Sequence, residues 1–219
     1  MEPQYQPCLE IAEKSGLTML GLMSNQVWHD DPKRLLFVLS RYKFVAKMFS
    51  GLNHVLEVGC ADAFGARVVR QEVKALTATD FDPVFAEDVK RRMDPAWPFE
   101  CVVHDMLHGP MPQRFDGAYS VDVVEHIQQA DEDRFIGNMA ASLLPHGVCI
   151  IGTPSLESQA YASAGSKAGH VNCKTGLGLK ELMSRHFQNV FIFGMNDEVL
   201  HTGFHKMSHY LFALCCVKK

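Results

Sequence analysis

The sequence predicts an α/β fold, a mostly parallel sheet of seven strands with helices on both faces. From His54 onward, short apolar runs alternate with helical patterns, as is typical of βαβ units. The last two apolar runs stand too close together for a helical crossover, which indicates that the last strand is antiparallel. We expect a single domain over residues 1–219, with residues 1–50 forming a helical extension.

The predicted elements follow one another without an internal repeat. The strands are expected at His54–Val58, Ala75–Asp80, Phe99–Asp105, Phe115–Val121, Gly147–Pro154, Asn189–Met195 and His209–Val217. The helices are expected at Pro32–Phe49, Gly65–Val73, Val84–Met93, Asp131–Leu144 and Leu177–Phe187. Pro145 and Gly147 should end the helix before the fifth strand. Residues 161–170, rich in Gly, Ala and Ser, are expected to form a loop.

Charge and composition exclude several classes of partner. The net charge of −4 provides no positive field for a phosphate backbone, so nucleic acid is not an expected partner. The apolar runs are too short to span a bilayer, and the N-terminus lacks the pattern of a secretory signal. The seven cysteines form no C-x-x-C pair, which favours a reducing, cytoplasmic setting without disulfides.

The most informative segment is VLEVGCADAFG, Val55–Gly65, in which a buried strand runs into a turn of small residues that opens a helix. Such a turn brings backbone N–H groups close to the negative end of a ligand. Asp80 ends the second strand 23 residues after Glu57, where a carboxylate can accept hydrogen bonds from ribose hydroxyls. Dinucleotide-binding folds share these features, so the turn alone does not identify the ligand.

This segment resembles the first motif of class I S-adenosylmethionine-dependent methyltransferases, in the broad group that includes ubiquinone-biosynthesis enzymes. The similarity continues, in the family's order, through TATDFDP, VVHDM, FDGAYSVDVVEHI and LLPHGVCIIGTPS, about half the chain. It implies a Rossmann-like fold, S-adenosylmethionine as cofactor, and methyl transfer. Residues 51–155 would form the cofactor-binding half and residues 156–219 the acceptor-binding half.

The resemblance also implies which residues contact the cofactor. They are Glu57, Gly59, Cys60, Ala61, Gly65, Asp80, Phe81, Asp105, Met106 and Asp122. In the family the glutamate braces the turn, the aspartate after the second strand holds the ribose, and the later residues border adenine or the methionine end. The sequence departs from the family's G-x-G-x-G pattern at Ala61 and Ala63, where an added methyl group restricts positive φ. A three-glycine pyrophosphate turn is missing, which disfavours an NAD(P)-dependent oxidoreductase.

Two histidines are candidate bases for the acceptor. His126 follows the fourth strand in VVEHI and matches a histidine common in the resembled group. His170 lies in SKAGHVN, a region that forms the acceptor-pocket wall in the resembled enzymes. We predict His170 as the base and Asn172 as an amide that orients the acceptor. The alternatives are a structural histidine for His126 and a solvated loop with a helix cap at Asn172 or Thr175.

The connection over residues 196–209 is unusually polar for a segment between two apolar strands. His201, His205 and His209 stand four residues apart, and with Asp197 or its neighbouring glutamate they raise a metal hypothesis. The glycine between them breaks any helix, so we predict no metal. We expect Asp197, His201 and His205 to hydrogen-bond a hydroxyl-rich acceptor instead.

The N-terminal helix carries basic residues that are typical of a solvated face, at Arg34, Arg41, Lys43 and Lys47. In the resembled family, N-terminal elements cover the cofactor and acceptor. Trp28 and Tyr42 are therefore predicted to contact the acceptor as part of a lid.

The predicted function is O-methylation of a small polar metabolite, such as a sugar, because the expected pocket is rich in His, Asn, Asp and Glu. The alternatives are an N-methyltransferase of a small amine, a non-catalytic nucleoside-binding protein and, less favoured, an NAD(P)-dependent oxidoreductase. The predicted partners are a small-molecule acceptor and a second copy in a homodimer.

Overall fold

The structure is a computed structural model that describes residues 2–219. The strands are β1 His54–Val58, β2 Ala75–Asp80, β3 Glu100–Val103, β4 Phe115–Val121, β5 Leu143–Pro154, β6 Phe187–Asn196, β7 Val199–His201 and β8 Tyr210–Lys218. The helices are α1 Gln6–Ser15, α2 Leu22–Asp30, α3 Lys33–Met48, α4 Ala66–Arg70, α5 Pro83–Arg92, α6 Glu132–Ala141, α7 Ala164–Gly169 and α8 Gly176–Ser184.

The strands form one sheet in the order β3-β2-β1-β4-β5-β8-β6-β7. Strands β1 to β5 pair in parallel, and β8 runs antiparallel to both β5 and β6. The predicted Rossmann-like α/β architecture with an antiparallel last strand is therefore confirmed. In such a sheet the carboxyl ends of the parallel strands meet at one edge, where ligands bind.

The sheet has one strand more than predicted. Residues 199–201 form β7, which pairs antiparallel with the end of β6 through a two-residue turn. Asp197 occupies this turn at φ 50°, in the left-handed region that tight hairpin turns require. No NG or DG pair marks a hairpin in this segment, so the sequence predicts only a connection here.

Two of the larger differences from the predicted elements have local causes. Strand β5 begins at Leu143 rather than at Gly147, and its start pairs with Phe115 through a register shift in the β4 ladder. Leu143 is fully buried, and an apolar residue at this position fits both a buried strand and the apolar face of a helix. The predicted loop contains α7, whose first turn is capped by the Ser163 hydroxyl accepting from Ser166 N.

The sheet separates two apolar clusters. One packs α6 and α8 against the sheet around Ile136, Leu179 and Phe187. The other packs α3 and α4 against the opposite face around Val45, Val69 and Phe212, members of the second cluster. Within residues 2–219, no helix is long and apolar enough to cross a membrane.

Candidate active site at the carboxyl edge of the sheet

The turn after β1 has the backbone shape of a glycine-rich loop even where alanines stand in it. Gly59, Ala61 and Ala63 have φ angles of 74°, 45° and 49°, all in the left-handed region. A side chain at Gly59 would also collide with Val123, because an added Cβ would lie 2.4 Å from that residue's methyl carbon. The fold therefore keeps the turn that the family's glycines normally permit, with strain at two alanines.

Asp80 braces this turn from the end of β2. Its Oδ2 accepts from Ala61 N at 2.8 Å and its Oδ1 accepts from Asp82 N at 3.0 Å. Each carboxylate oxygen keeps a further lone pair for a ligand hydroxyl. The next side chain, Phe81, is 72% exposed. A carboxylate that accepts hydrogen bonds and an exposed aromatic ring are thus neighbours at the edge of the sheet.

Glu57 lies behind the turn, inside the protein. Its Oε1 accepts from the Tyr42 hydroxyl at 2.8 Å, and burial raises the pKa of this carboxyl to about 8. The Tyr42 ring packs so closely under Gly65 that a Cβ there would lie 2.4 Å from it. Tyr42, predicted as a lid residue, is therefore buried in the core, where it supports the turn from below.

The residue after β4, Asp122, has a left-handed backbone at φ 60° and forms an ion pair with α3. Arg41 Nη1 lies 2.6 Å from Asp122 Oδ2, and the Arg41 guanidinium carbon lies 3.9 Å from the centre of the Tyr210 ring. The Arg41 side chain is only 20% exposed. The solvated helix face predicted for the basic residues of α3 is thus wrong for Arg41.

Three side chains with lone pairs meet beside Asp122. One carboxylate oxygen of Glu125 and one ring nitrogen each of His126 and His170 lie within 4.8 Å of one another. The two imidazole rings are 5.2 Å apart, edge to face. Burial lowers the pKa of His170, and so does the neighbouring His126, which keeps the His170 ring neutral at pH 7. Burial also raises the pKa of Glu125 to about 8.

The loop that carries His170 is fixed by its backbone and by buried polar groups. Val171 N and Asn172 N both donate to the carbonyl of Glu125, at 2.8 and 3.0 Å. The buried Asn172 amide donates to Glu132 Oε2 at 2.8 Å, and Lys174 forms an ion pair with the same carboxylate. Asn172, predicted to orient the acceptor, therefore uses its amide nitrogen to hold the loop in place.

The remaining predicted residues are more dispersed. Asp105 accepts from Leu107 N within its own turn, and the Met106 side chain is buried in the core. Among residues 2–219, only Glu125, His126 and His170 gather as three metal-ligand groups, so the histidines of residues 201–209 do not converge. Asp197 lies exposed in the β6–β7 turn.

The two other histidines predicted to bind the acceptor, His201 and His205, contact different neighbouring residues. His201 Nδ1 accepts from Gly203 N at 3.1 Å. His205 packs against Gly176, and its Nδ1 is buried without a hydrogen-bond partner among the described residues.

The N-terminal extension is attached to the outer side of the turn. Ser24 N donates to Asp62 Oδ2 at 2.6 Å, and Gly21 approaches the same side chain so closely that an added Cβ would overlap it. Trp28, on the following turn of α2, is 53% exposed. The extension thus contacts the turn through backbone groups while leaving a large aromatic side chain uncovered.

Sequence reasoning missed two residues of this site. Glu125 stands directly before His126 in VVEHI, so a D-x-x-E-H spacing was visible, but nothing in the sequence showed that the glutamate turns inward. Arg41 was visible as a cation at helical spacing, yet its partner lies 81 residues away along the chain.

Comparison with known proteins gives a family match for the central part of the chain. Residues 56–151 match the family model described as a methyltransferase domain. The match runs from β1 through β5 and includes the turn, Asp80, Asp122 and the Glu125–His126 pair. No curated protein matches the chain.

Several solved structures share the fold. The N-methyltransferase NodS from Bradyrhizobium japonicum WM9, in complex with S-adenosyl-L-homocysteine, aligns over 99% of both chains with a TM-score of 0.62 and 16% identity. A TehB-like S-adenosylmethionine-dependent methyltransferase from Corynebacterium glutamicum ATCC 13032 Kitasato aligns over 83% of this chain and 87% of its own, with a TM-score of 0.62 and 19% identity. The DhpI–S-adenosylhomocysteine complex aligns over 86% of each chain, with a TM-score of 0.61 and 14% identity.

The fold and the family match together define a class I S-adenosylmethionine-dependent methyltransferase. S-adenosylmethionine is its cofactor, and the residues present fit that molecule. The exposed Phe81 ring offers an apolar face for a flat base, and the neighbouring Asp80 carboxylate offers acceptors for sugar hydroxyls.

Proposed function

We propose that this methyltransferase transfers a methyl group to a hydroxyl of a small polar metabolite, such as a sugar or a glycan precursor. The observation that carries the proposal is the pair His126 and His170, two neighbouring imidazoles whose Nδ1 atoms are both occupied. A hydroxyl placed between them meets nitrogen lone pairs, so it binds by donating its proton. This polarisation is what a hydroxyl needs to become a nucleophile.

The tautomer of each ring follows from its partner. His126 Nδ1 lies 2.8 Å from the Gly169 carbonyl oxygen, which can only accept. His170 Nδ1 lies 2.8 Å from Gln159 Oε1, and the Gln159 amide nitrogen is oriented toward the Ser155 carbonyl. Both Nδ1 atoms therefore carry the hydrogen, and both Nε2 atoms carry the lone pair.

In this proposal the cofactor lies along the edge formed by β1, β2 and β4. The turn containing Gly59, Cys60, Ala61 and Gly65, braced by Glu57, supports the amino-acid part. Asp80 accepts from the ribose, while Phe81, Asp105 and Met106 border the adenine. Asp122 faces the methionine end, and Arg41 offsets its charge.

When bound, S-adenosylmethionine supplies a methyl group on a positively charged sulfur, which leaves with the electron pair of the broken C–S bond as the acceptor oxygen bonds to carbon. The protein's part is to hold the acceptor in line and to take its proton. Nε2 of the neutral His170 takes that proton directly, since its lowered pKa keeps the lone pair free. Asp197, His201, His205 and Trp28 form the outer part of the acceptor site.

The domain division and setting belong to the same proposal. Residues 1–50 cover the site, residues 51–155 bind the cofactor and residues 156–219 bind the acceptor. All seven cysteines are free, which is in keeping with a reducing cytoplasm. We propose a homodimer that acts on small molecules and not on nucleic acid.

The experiment is a methyl-transfer screen with labelled S-adenosylmethionine against hydroxyl acceptors, including sugars, and against small amines. The proposal expects hydroxyl acceptors to be methylated. It also expects His170→Ala to lower kcat at least tenfold with unchanged affinity for S-adenosyl-L-homocysteine, while the exposed His146→Ala has no effect. Transfer to amines alone would establish N-methylation instead, and no transfer with intact nucleoside binding would indicate a non-catalytic protein.

A further inference from the structure

The side chains whose lone pairs would receive a hydroxyl proton belong to a cluster that also has the composition of a metal site. Glu125, His126 and His170 provide one carboxylate oxygen and two imidazole nitrogens within 4.8 Å of one another. Two imidazoles and a carboxylate are the ligand set of divalent first-row transition metals, and this set leaves coordination positions open. An ion with bonds of about 2.1 Å holds its ligands roughly 3 to 4 Å apart, so small side-chain rotations would close this cluster on one ion.

The hydrogen bonds around the cluster prepare each of its members as a ligand. The Gly169 carbonyl and the Gln159 amide oxygen each accept from the Nδ1–H of one ring, which directs the Nε2 lone pairs of His126 and His170 away from those partners. Histidines that bind metals almost always donate their other ring N–H in this way. Thr153 donates to Glu125 Oε2 at 3.1 Å, which orients the carboxylate.

The backbone holds the three ligands together across 45 residues of sequence. Glu125 and His126 are adjacent in the 3₁₀ turn after β4, and the Glu125 carbonyl accepts from Val171 N and Asn172 N directly after His170. The loop is held on its far side by the Asn172–Glu132 hydrogen bond. Such support fixes the positions of the ligands before any ion binds, which lowers the entropy that binding must overcome.

We propose that Glu125, His126 and His170 bind one divalent first-row transition-metal ion, and that the hydroxyl of the acceptor reaches an open position on it. This rests on the proposed function, and it changes the role of His170 from proton acceptor to ligand. The ion acts as a Lewis acid that lowers the pKa of the acceptor hydroxyl. The hydroxyl proton is released to solvent water. Asp122 is not part of the ligand set because its carboxylate is paired with Arg41.

The first experiment measures the metal alone. Untagged protein, freed of metal with EDTA and then dialysed, is titrated with MnCl₂ and with ZnCl₂ by calorimetry, and bound Mn²⁺ is also followed by electron paramagnetic resonance. One ion per chain is expected, with affinity reduced at least tenfold in His126→Ala, in His170→Ala and in Glu125→Gln. Gln159→Leu, which removes the partner of the His170 ring together with the amide's hydrogen bond to the Ser155 carbonyl, should weaken metal binding about 10- to 100-fold.

Two controls separate misfolding and failure of the proposed function from failure of this inference. His146→Ala should bind the ion like the parent, and every variant should keep its affinity for S-adenosyl-L-homocysteine if it is folded. Absence of Mn²⁺ and Zn²⁺ binding in protein that binds the nucleoside overturns the metal site. Hydroxyl methylation that persists in EDTA overturns the ion's role and leaves His170 as the base. Metal binding without hydroxyl methylation supports the site and overturns the proposed function.

Discussion

Arg41 on α3 and Asp122 after β4 form an ion pair, with Nη1 and Oδ2 2.6 Å apart. The pair joins the N-terminal extension to the candidate site, and the Tyr210 ring on β8 covers the guanidinium from one side. Three separate parts of the chain therefore meet at one cation. Removing that cation leaves the Asp122 carboxylate partly buried without a counter-charge, which is the costly way to break such a pair.

This pair should contribute measurably to stability. We expect Arg41→Met to lower the free energy of unfolding by about 1–3 kcal/mol, and a double-mutant cycle with Asp122→Asn to give a coupling of about 1–2 kcal/mol. Urea denaturation of the four proteins measures both. The control cycle uses Arg134 and Asp131, which are also 2.6 Å apart but whose side chains are 58% and 35% exposed. Its coupling should stay below about 0.5 kcal/mol, and equal couplings would contradict the role of burial.

The buried Glu57 should make stability depend on pH. Its pKa rises from the ordinary value of 4.5 to about 8 in the folded protein, so between these values the folded state keeps a proton that the unfolded state loses. Stability from this group is therefore full below pH 4.5 and falls as the pH rises toward 8, by up to about 1.4 kcal/mol per pH unit. Thermal unfolding between pH 5 and 8.5 should show this fall for the parent and a flatter profile for Glu57→Gln.

Glutamine at this position keeps the acceptor for the Tyr42 hydroxyl and removes only the titration. A matched control is Glu181→Gln, at an exposed position on α8, which should leave the profile as it is in the parent. Parallel profiles for the parent and Glu57→Gln would show that the proton is not held at this carboxyl.

Because the alanines of the turn are strained, replacing one of them with glycine should change stability in an unusual direction. An L-residue in the left-handed region costs about 1–2 kcal/mol, whereas glycine loses about 0.5–1 kcal/mol more entropy than alanine on folding. Ala61→Gly, at φ 45°, should therefore stabilise the protein by about 0.5 kcal/mol. Ala86→Gly, buried in the interior of helix α5, should destabilise it by about 1 kcal/mol or more. Urea denaturation compares the two variants, and a loss of stability in Ala61→Gly equal to that in Ala86→Gly would show that Ala61 is not strained.

The sequence predicted strands best where an apolar run ended at a turn signal. β1, β2 and β4 have the predicted bounds: asparagine and glycine border β1, aspartate follows β4, and β2 ends on an aspartate. It failed at Leu143, which extends the apolar spacing of α6 yet pairs in β5, since short apolar segments satisfy both periodicities. It also failed at α7, whose stability depends on a serine cap and not on composition.

The candidate site was predictable only where it follows from chain order. Glu57, Asp80 and Asp122 lie at or next to the carboxyl ends of parallel strands, so the topology alone places them at one edge of the sheet. The positions of Arg41 and Gln159 depend on packing between distant segments, which leaves no local pattern. For the same reason the sequence did not predict the position of Glu125, whose inward direction is set by a hydrogen bond from Thr153 in β5.

The position of Asp80 gives the most direct test of the cofactor site. Its two oxygens are held by Ala61 N and Asp82 N, so the carboxylate is already oriented before a nucleoside binds. In the proposed site, Asp80 accepts from both ribose hydroxyls, so Asp80→Ala should weaken S-adenosyl-L-homocysteine binding by about 1–3 kcal/mol, roughly 5- to 150-fold. Calorimetry measures this loss, and the parent should not bind NAD(P).

A matched control distinguishes a lost ribose contact from a general loss of structure. Asp116 is also a buried carboxylate in the sheet, where it accepts from His54 N, but it stands at the amino end of β4, on the opposite edge. Asp116→Ala should lower thermal stability and leave nucleoside affinity within about twofold, because no ligand atom reaches that edge. Equal affinity losses in the two variants would mean that Asp80 acts only through the fold. Unchanged affinity in Asp80→Ala would show that the ribose does not bind to this carboxylate.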